Sequence, residues 1–152
     1  MDSKIEIKEE QAQPVLSIRT RTAVRDLPVV IGESYEKIMQ YMSGIGQEPA
    51  GAPFVAYYNM DVEDLDLEIG FPVAIPLEGS NDIGSSEIPA GKYVSTTYKG
   101  PYQGMEKPYM EMAQWIEEHG YKPKGISYEY YLNSPMEVPE SELLTRIVFP
   151  VE

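Results

Sequence analysis

The stretch Tyr35–Asn59, YEKIMQYMSGIGQEPAGAPFVAYYN, falls on Tyr109–Asn133, YMEMAQWIEEHGYKPKGISYEYYLN, when the chain is shifted by 74 residues. Tyr35, Gln40, Gly46, Pro49, Gly51, Tyr57 and Asn59 then meet Tyr109, Gln114, Gly120, Pro123, Gly125, Tyr131 and Asn133, and Tyr41 meets Trp115. After four extra residues the match resumes, Leu65–Val73 (LDLEIGFPV) over Leu143–Val151 (LLTRIVFPV). The chain reads as two copies of one unit of about 75 residues, approximately 15–75 and 93–151. A unit that small closes a core poorly by itself, so the copies are expected to pack as one domain over 1–152, about a pseudo-twofold axis. A seam between two such halves is an expected place for a small-molecule site.

Patterning within each copy gives the elements. Ile5 and Ile7 alternate with charges, which suggests a short edge strand, and Val15–Val24 is β-branched and alternating. Leu27–Ser43 carries Ile31, Tyr35, Ile38 and Met42 at helical spacing and is stopped by Gly44 and Gly46. Pro53–Met60 reads as a strand, and Leu65–Ile75, alternating from Leu65 to Phe71, reads as a half-buried one. A Gly-, Ser- and Asp-rich link, Pro76–Ala90, is expected to hold a hairpin or loop. The second copy repeats the series: strand Lys92–Lys99, a helix over roughly Met105–His119 with Met105, Tyr109, Met112 and Ile116 on its apolar face, then strands Ile126–Leu132 and Glu142–Val151. Each half reads β-α-β-β, so the expected class is α+β, with largely antiparallel sheet and one main helix per half. The methionines at 39, 42, 105, 110 and 112 are expected as core filler.

Composition excludes several function classes. Twenty-five acids oppose 12 bases, a net charge of −13, and no basic cluster interrupts the acids. Phosphate repulsion makes nucleic acid an unfavourable direct partner, whereas the negative field favours cationic ligands or a basic protein. The chain has no cysteine, hence no disulfide, thiolate nucleophile or cysteine metal site. No metal and no cofactor are expected. The start is charged from Asp2 onward, without an apolar signal core, and no apolar run is long enough to span a bilayer, so a cytoplasmic location is the expectation. The single histidine, His119, precedes Gly120 at an expected helix end, where a cation is favoured by the helix dipole.

Twelve tyrosines stand out, and one glutamate stands among them. In Tyr128-Glu129-Tyr130-Tyr131, Glu129 shares a strand face with Ser127 and Tyr131, opposite Ile126, Tyr128, Tyr130 and Leu132. A carboxylate among aromatic rings is costly to desolvate unless it is paired or faces a wet cavity. Its repeat mate is Val55, so the scaffold does not require an acid there. Either Glu129 serves a site or it is a surface residue on an edge strand. Aromatic faces attract cations and a buried acid neutralises them. Tyr57, Tyr131, Tyr98 and Tyr102 are therefore candidates to line the site with Glu129, while Tyr35, Tyr41 and Tyr109, on the helices, read as core. Glu68 and Arg146 are repeat mates, expected either to meet as an ion pair across the seam or to face solvent.

The second half runs Gly100-Pro101-Tyr102, a helix ending Trp115-Ile116 and Gly120, then Gly125, Glu129-Tyr130-Tyr131-Leu132 and Pro135. It closes with Glu142-Leu143-Leu144-Thr145-Arg146-Ile147 and Pro150-Val151. This order of motifs resembles the GyrI-like small-molecule-binding domains, the effector-binding domains of multidrug-responsive bacterial transcription activators, over approximately 15–152. The resemblance implies sheets that form a concave groove backed by helices, with ligands at the pseudo-twofold seam. It also implies that the acid of the Glu-x-Tyr pattern, here Glu129, meets cationic, hydrophobic drugs. Some relatives resemble hydrolases of electrophilic cyclopropane-type toxins, and others inhibit DNA gyrase. Family members often carry an acid after the threonine of the last strand, where this chain has Arg146. No helix-turn-helix segment is recognised, so direct transcription activation is not expected.

The favoured expectation is a binding module for hydrophobic or cationic small molecules, with Glu129, Tyr131, Tyr57, Tyr98, Tyr102, Glu68 and Arg146 as ligand-binding residues. The alternatives are a hydrolase with Glu129 as catalytic base and an acidic protein-interaction module. From the charge alone, the purified chain is expected to leave duplex DNA unshifted at low micromolar concentration and physiological salt. A salt-sensitive mobility shift would contradict that reading.

Overall fold

The computed structural model describes residues 4–152; the charged start read at Asp2 lies outside them. In chain order the strands are β1 (Glu6–Glu10), β2 (Gln13–Thr22), β3 (Phe54–Tyr57), β4 (Leu65–Pro72), β5 (Gly84–Ile88), β6 (Gly91–Lys99), β7 (Ser127–Tyr131) and β8 (Leu144–Val151). Two helices, α1 (Leu27–Gly44) and α2 (Glu106–Glu118), complete an α+β fold. The chain divides into two compact units, Gln11–Ala90, and Gly91–Glu152 with the segment ending at Glu10.

In the first unit the strands lie in the order β3-β4-β2-β5, all antiparallel. Pro28 opens α1, and Gly46, at φ 71°, follows its end in a conformation that a side chain disfavours. Ile38 and Met42 of α1 pack with Leu16, Ile18, Phe71 and Val73 of the sheet side, and Tyr35 and Tyr41 flank them. Of the face read from Ile31, Tyr35, Ile38 and Met42, the last three are packed against the sheet. β4 differs from the half-buried expectation. Every residue from Leu67 to Pro72 is buried, because β4 lies between β3 and β2 and its polar face is itself covered. At Gly70 of β4 a Cβ would collide with the backbone of Leu16 and Ser17, so only glycine fits. The link after β4 supplies one short strand, β5, paired with β2.

The other unit has the strand order β1-β6-β8-β7, again antiparallel throughout. β1 is the edge strand that Ile5 and Ile7 suggest. Met112 and Ile116 of α2 pack with Val94, Met105, Ile147 and Val151, flanked by Tyr98, Tyr109, Trp115 and Phe149. Gly120, at φ 77°, follows this helix. His119 caps it, stacked on Trp115 with ring centroids 3.8 Å apart. Of the helix-associated methionines, Met42, Met105 and Met112 are core, while Met39 and Met110 are exposed, because they lie off the buried stripe of their helices.

Several bonds recur at positions matched by the sequence offset. Asn59 Nδ2 donates to the carbonyl of Asp64 (3.0 Å) and its Oδ1 accepts from the amide of Asp66 (3.0 Å). Asn133 makes the same pair with Glu142 (3.0 Å) and Leu144 (2.8 Å). The Ala50 amide donates to the Pro72 carbonyl (2.8 Å), as the Lys124 amide does to Pro150 (3.1 Å). Each asparagine therefore clamps the connection after its short strand. Replacing Asn59 or Asn133 by alanine is expected to cost about 1 kcal/mol each in urea unfolding. Unchanged midpoints would show that the clamps contribute nothing.

Candidate functional site

β7 and β8 pair with Glu129 opposite Ile147 and Tyr131 opposite Thr145, and β6 sets Tyr98 opposite Thr145. Residues directly opposite in a ladder share a face. Ile147 packs with α2 residues, so Glu129, Tyr131 and Tyr98 lie on the helix side of this unit's sheet. Tyr109 enters from α2. Its hydroxyl donates to Glu129 Oε2, and the Tyr131 hydroxyl donates to Oε1 at 2.8 Å. Tyr102 sets its ring edge-on to Tyr131, centroids 5.9 Å apart, and Phe149 packs against Tyr109 at 5.4 Å. The partly buried carboxylate is thus held by two phenols within a group of aromatic rings.

The electrostatics follow from that placement. Burial pushes the Glu129 carboxyl above its ordinary range, and the hydrogen bonds from Tyr109 and Tyr131 pull the other way without cancelling it. Burial also raises the Tyr102 phenol, and the nearby Glu129 charge adds to that shift. A phenol so raised remains a hydrogen-bond donor at neutral pH.

Tyr98 shares the Glu129 face, but its hydroxyl donates to the Pro101 carbonyl at 2.9 Å. A Cβ at Gly104 would meet that hydroxyl, so a side chain there would displace it. Tyr98 therefore braces the turn into α2 from the Glu129 face of the sheet. Arg146 lies on the opposite face of the same sheet, opposite Tyr130 and with its guanidinium 5.8 Å from that ring's centroid. Burial raises Tyr130 to about 12, opposed by Arg146. Tyr57 belongs to the first unit, on the helix side of its sheet opposite Leu67. Glu68 lies on the other face of that sheet and is only 8% exposed, which corrects the solvent-facing expectation. It stays buried because Ser17 (2.6 Å) and Tyr58 (2.6 Å) both donate to it. Arg19 lies 3.8 Å over the Tyr58 ring and forks onto Asp66 at 2.8 and 2.9 Å. Among the described residues no group of three His, Asp or Glu side chains converges to hold a metal.

The chain matches the GyrI-like small molecule binding domain over residues 3–152. It belongs to the GyrI-like family. No curated protein matches it. Solved structures share the fold. EcmrR, in a complex with DNA, is 24% identical with a TM-score of 0.84 over 99% of this chain, which spans 57% of the EcmrR chain. A hydrolase from Listeria innocua is 16% identical with a TM-score of 0.71 over 98% of this chain and 92% of its own. SAV2435 bound to tetraphenylphosphonium is 12% identical with a TM-score of 0.63 over 100% of this chain and 94% of its own.

Two residues on the Glu129 side of this GyrI-like domain's second sheet escape a sequence reading. Tyr109 reads as helix core, and it does pack on Phe149, yet its hydroxyl reaches across to β7. Its repeat mate Tyr35 donates instead to the Phe54 carbonyl at 3.0 Å, next to Val55, the mate of Glu129. The signal for Tyr109 was therefore its helix register relative to an acid on a strand, which only packing reveals. Thr145, fully buried and opposite Tyr131, is the second.

A raised carboxyl value has a signed consequence. Ionising Glu129 opposes folding, so its penalty is absent below the ordinary carboxylate range and grows as pH rises through the raised value. Glu129→Gln is expected to gain melting temperature relative to the wild type at about pH 8, with the gap closing toward about pH 4. A gap independent of pH would contradict the desolvated carboxyl.

Proposed function

We propose that this GyrI-like domain binds amphipathic, cationic small molecules, with Glu129 supplying the countercharge and tyrosine rings the apolar and cation–π surface. The observation that carries this reading is the partly buried carboxylate held by Tyr109 and Tyr131 with Tyr102 beside it. The two phenols fix the carboxylate's orientation while leaving it a net negative charge for a ligand. Aromatic rings attract an organic cation through their faces, and a desolvated acid strengthens the attraction. The tetraphenylphosphonium bound to SAV2435 has the chemistry that such a site would accept.

The same reading treats the two units as copies of one ancestral unit. Their equal strand orders, the paired asparagine clamps and the matched turns support it. Only one copy carries the acid, so the countercharge is an addition to a scaffold that folds with valine in the same place.

A hydrolase is the second reading, favoured by the upward shift of the Glu129 carboxyl, the direction that makes a carboxylate a stronger base. Glu129 would take a proton from water as the water oxygen bonds to an electrophilic cyclopropane carbon; the strained carbon–carbon bond breaks, its electron pair passes to a conjugated carbonyl oxygen of the toxin, and a neighbouring phenol would donate to that oxygen. Mass detection of a hydrated product from an electrophilic toxin, lost in Glu129→Gln, would support that chemistry.

For binding, Glu129→Gln is expected to weaken tetraphenylphosphonium roughly tenfold by calorimetry while leaving neutral triphenylphosphine oxide within about twofold. Equal losses for both compounds would remove the charge role.

A further inference from the structure

Thr145 differs from its surroundings in one respect. It has no exposed surface, and its Oγ1 has no hydrogen-bond partner among the described residues. A buried hydroxyl without a partner is unfavourable, and a methyl of the same shape in its place would not be. Packing does not require it either. The repeat-equivalent position in the first unit is Leu67, fully buried and opposite Tyr57, as Thr145 is opposite Tyr131. Two polar side chains on the helix-side face, Glu129 and Thr145, thus stand where the other unit has Val55 and Leu67. The ladder sets them one position apart along that face, with Tyr131 beside both and Tyr98 on the far side of Thr145.

We propose that the Thr145 hydroxyl is a second polar anchor of the Glu129 site, hydrogen-bonding a polar atom carried by the bound cation. The inference rests on the cation-binding reading and narrows its ligand class. Cations bearing a hydroxyl, amine or carbonyl group beside an aromatic body are selected over cations that present only hydrocarbon. Thr145 has no exposed surface, so a ligand would reach it only with the Tyr98 and Tyr131 rings, which flank it in register, moved aside. A threonine hydroxyl both donates and accepts, so either polarity of ligand atom satisfies it. A ligand that does so relieves the unpartnered group of the free protein, which makes the hydroxyl a source of discrimination.

The test compares the full chain with Thr145→Val, which keeps shape and removes the hydroxyl. The probes are tetraphenylphosphonium and the three (hydroxyphenyl)triphenylphosphonium isomers, which carry the same charge. Calorimetry on the wild type should show at least one isomer bound fivefold or more tighter than tetraphenylphosphonium. Thr145→Val should abolish that preference, with the tetraphenylphosphonium Kd within twofold of wild type and a melting temperature no lower. A preference absent from the wild type, or retained by the variant, would overturn the role of Thr145 while leaving cation binding intact. A fall of several degrees in the variant's melting temperature would show that the protein itself uses the hydroxyl, and would also overturn it. If the wild type binds none of the four cations, the cation-binding reading fails and this proposal fails with it.

Discussion

One carboxylate on the helix side of a sheet constrains the rest of its unit. Glu129 points into the face against which Met112 and Ile116 pack, where an unsatisfied charge would oppose folding. Tyr109 from the helix and Tyr131 from the same strand answer it with hydroxyls. That answer fixes the register of α2 on the strands, since Tyr109 must both reach the carboxylate and pack on Phe149. Tyr98 holds the turn into α2 through Pro101, and Gly104 leaves room for the Tyr98 hydroxyl.

The contrast with the first unit shows what the carboxylate adds. There the same helix position carries Tyr35, which packs on Phe71 at 5.1 Å as Tyr109 packs on Phe149, but donates to a backbone carbonyl. Val55 and Leu67 fill the face that Glu129 and Thr145 occupy in the other unit. The buried acid of the first unit, Glu68, is on the opposite face and is fully engaged by Ser17 and Tyr58. One acid is therefore a closed structural network, and the other belongs to an aromatic group whose protonation remains adjustable.

Much of this was legible in the chain. The helical spacing of Ile38 and Met42, and of Met112 and Ile116, marked the buried stripes, because a 3.6-residue period has no other use. Glycines 46 and 120 marked the helix ends through their positive φ. The parity argument placed Glu129 with Tyr131, since strand side chains alternate strictly. Long-range partnership was not legible. Tyr109 and Glu129 are 20 residues apart and meet only because α2 folds over β7. The sequence could not show that Glu68 is buried, because alternation marks it as polar and only Ser17 and Tyr58 make burial tolerable. Nor could it show that the Tyr98 hydroxyl is committed to the turn at Pro101.

The proposed ligand binding at this group depends on the charge state of Glu129. Burial dominates over two hydrogen bonds in setting the Glu129 carboxyl, and a bound cation would reverse that balance by favouring the ionised form. Carbon-13 NMR of the Glu129 side-chain carboxyl, titrated with and without saturating tetraphenylphosphonium, reads this directly. The expected result is a titration above the ordinary glutamate range in the free protein, moved down by the cation. A titration at the ordinary value that the cation leaves in place would contradict the account.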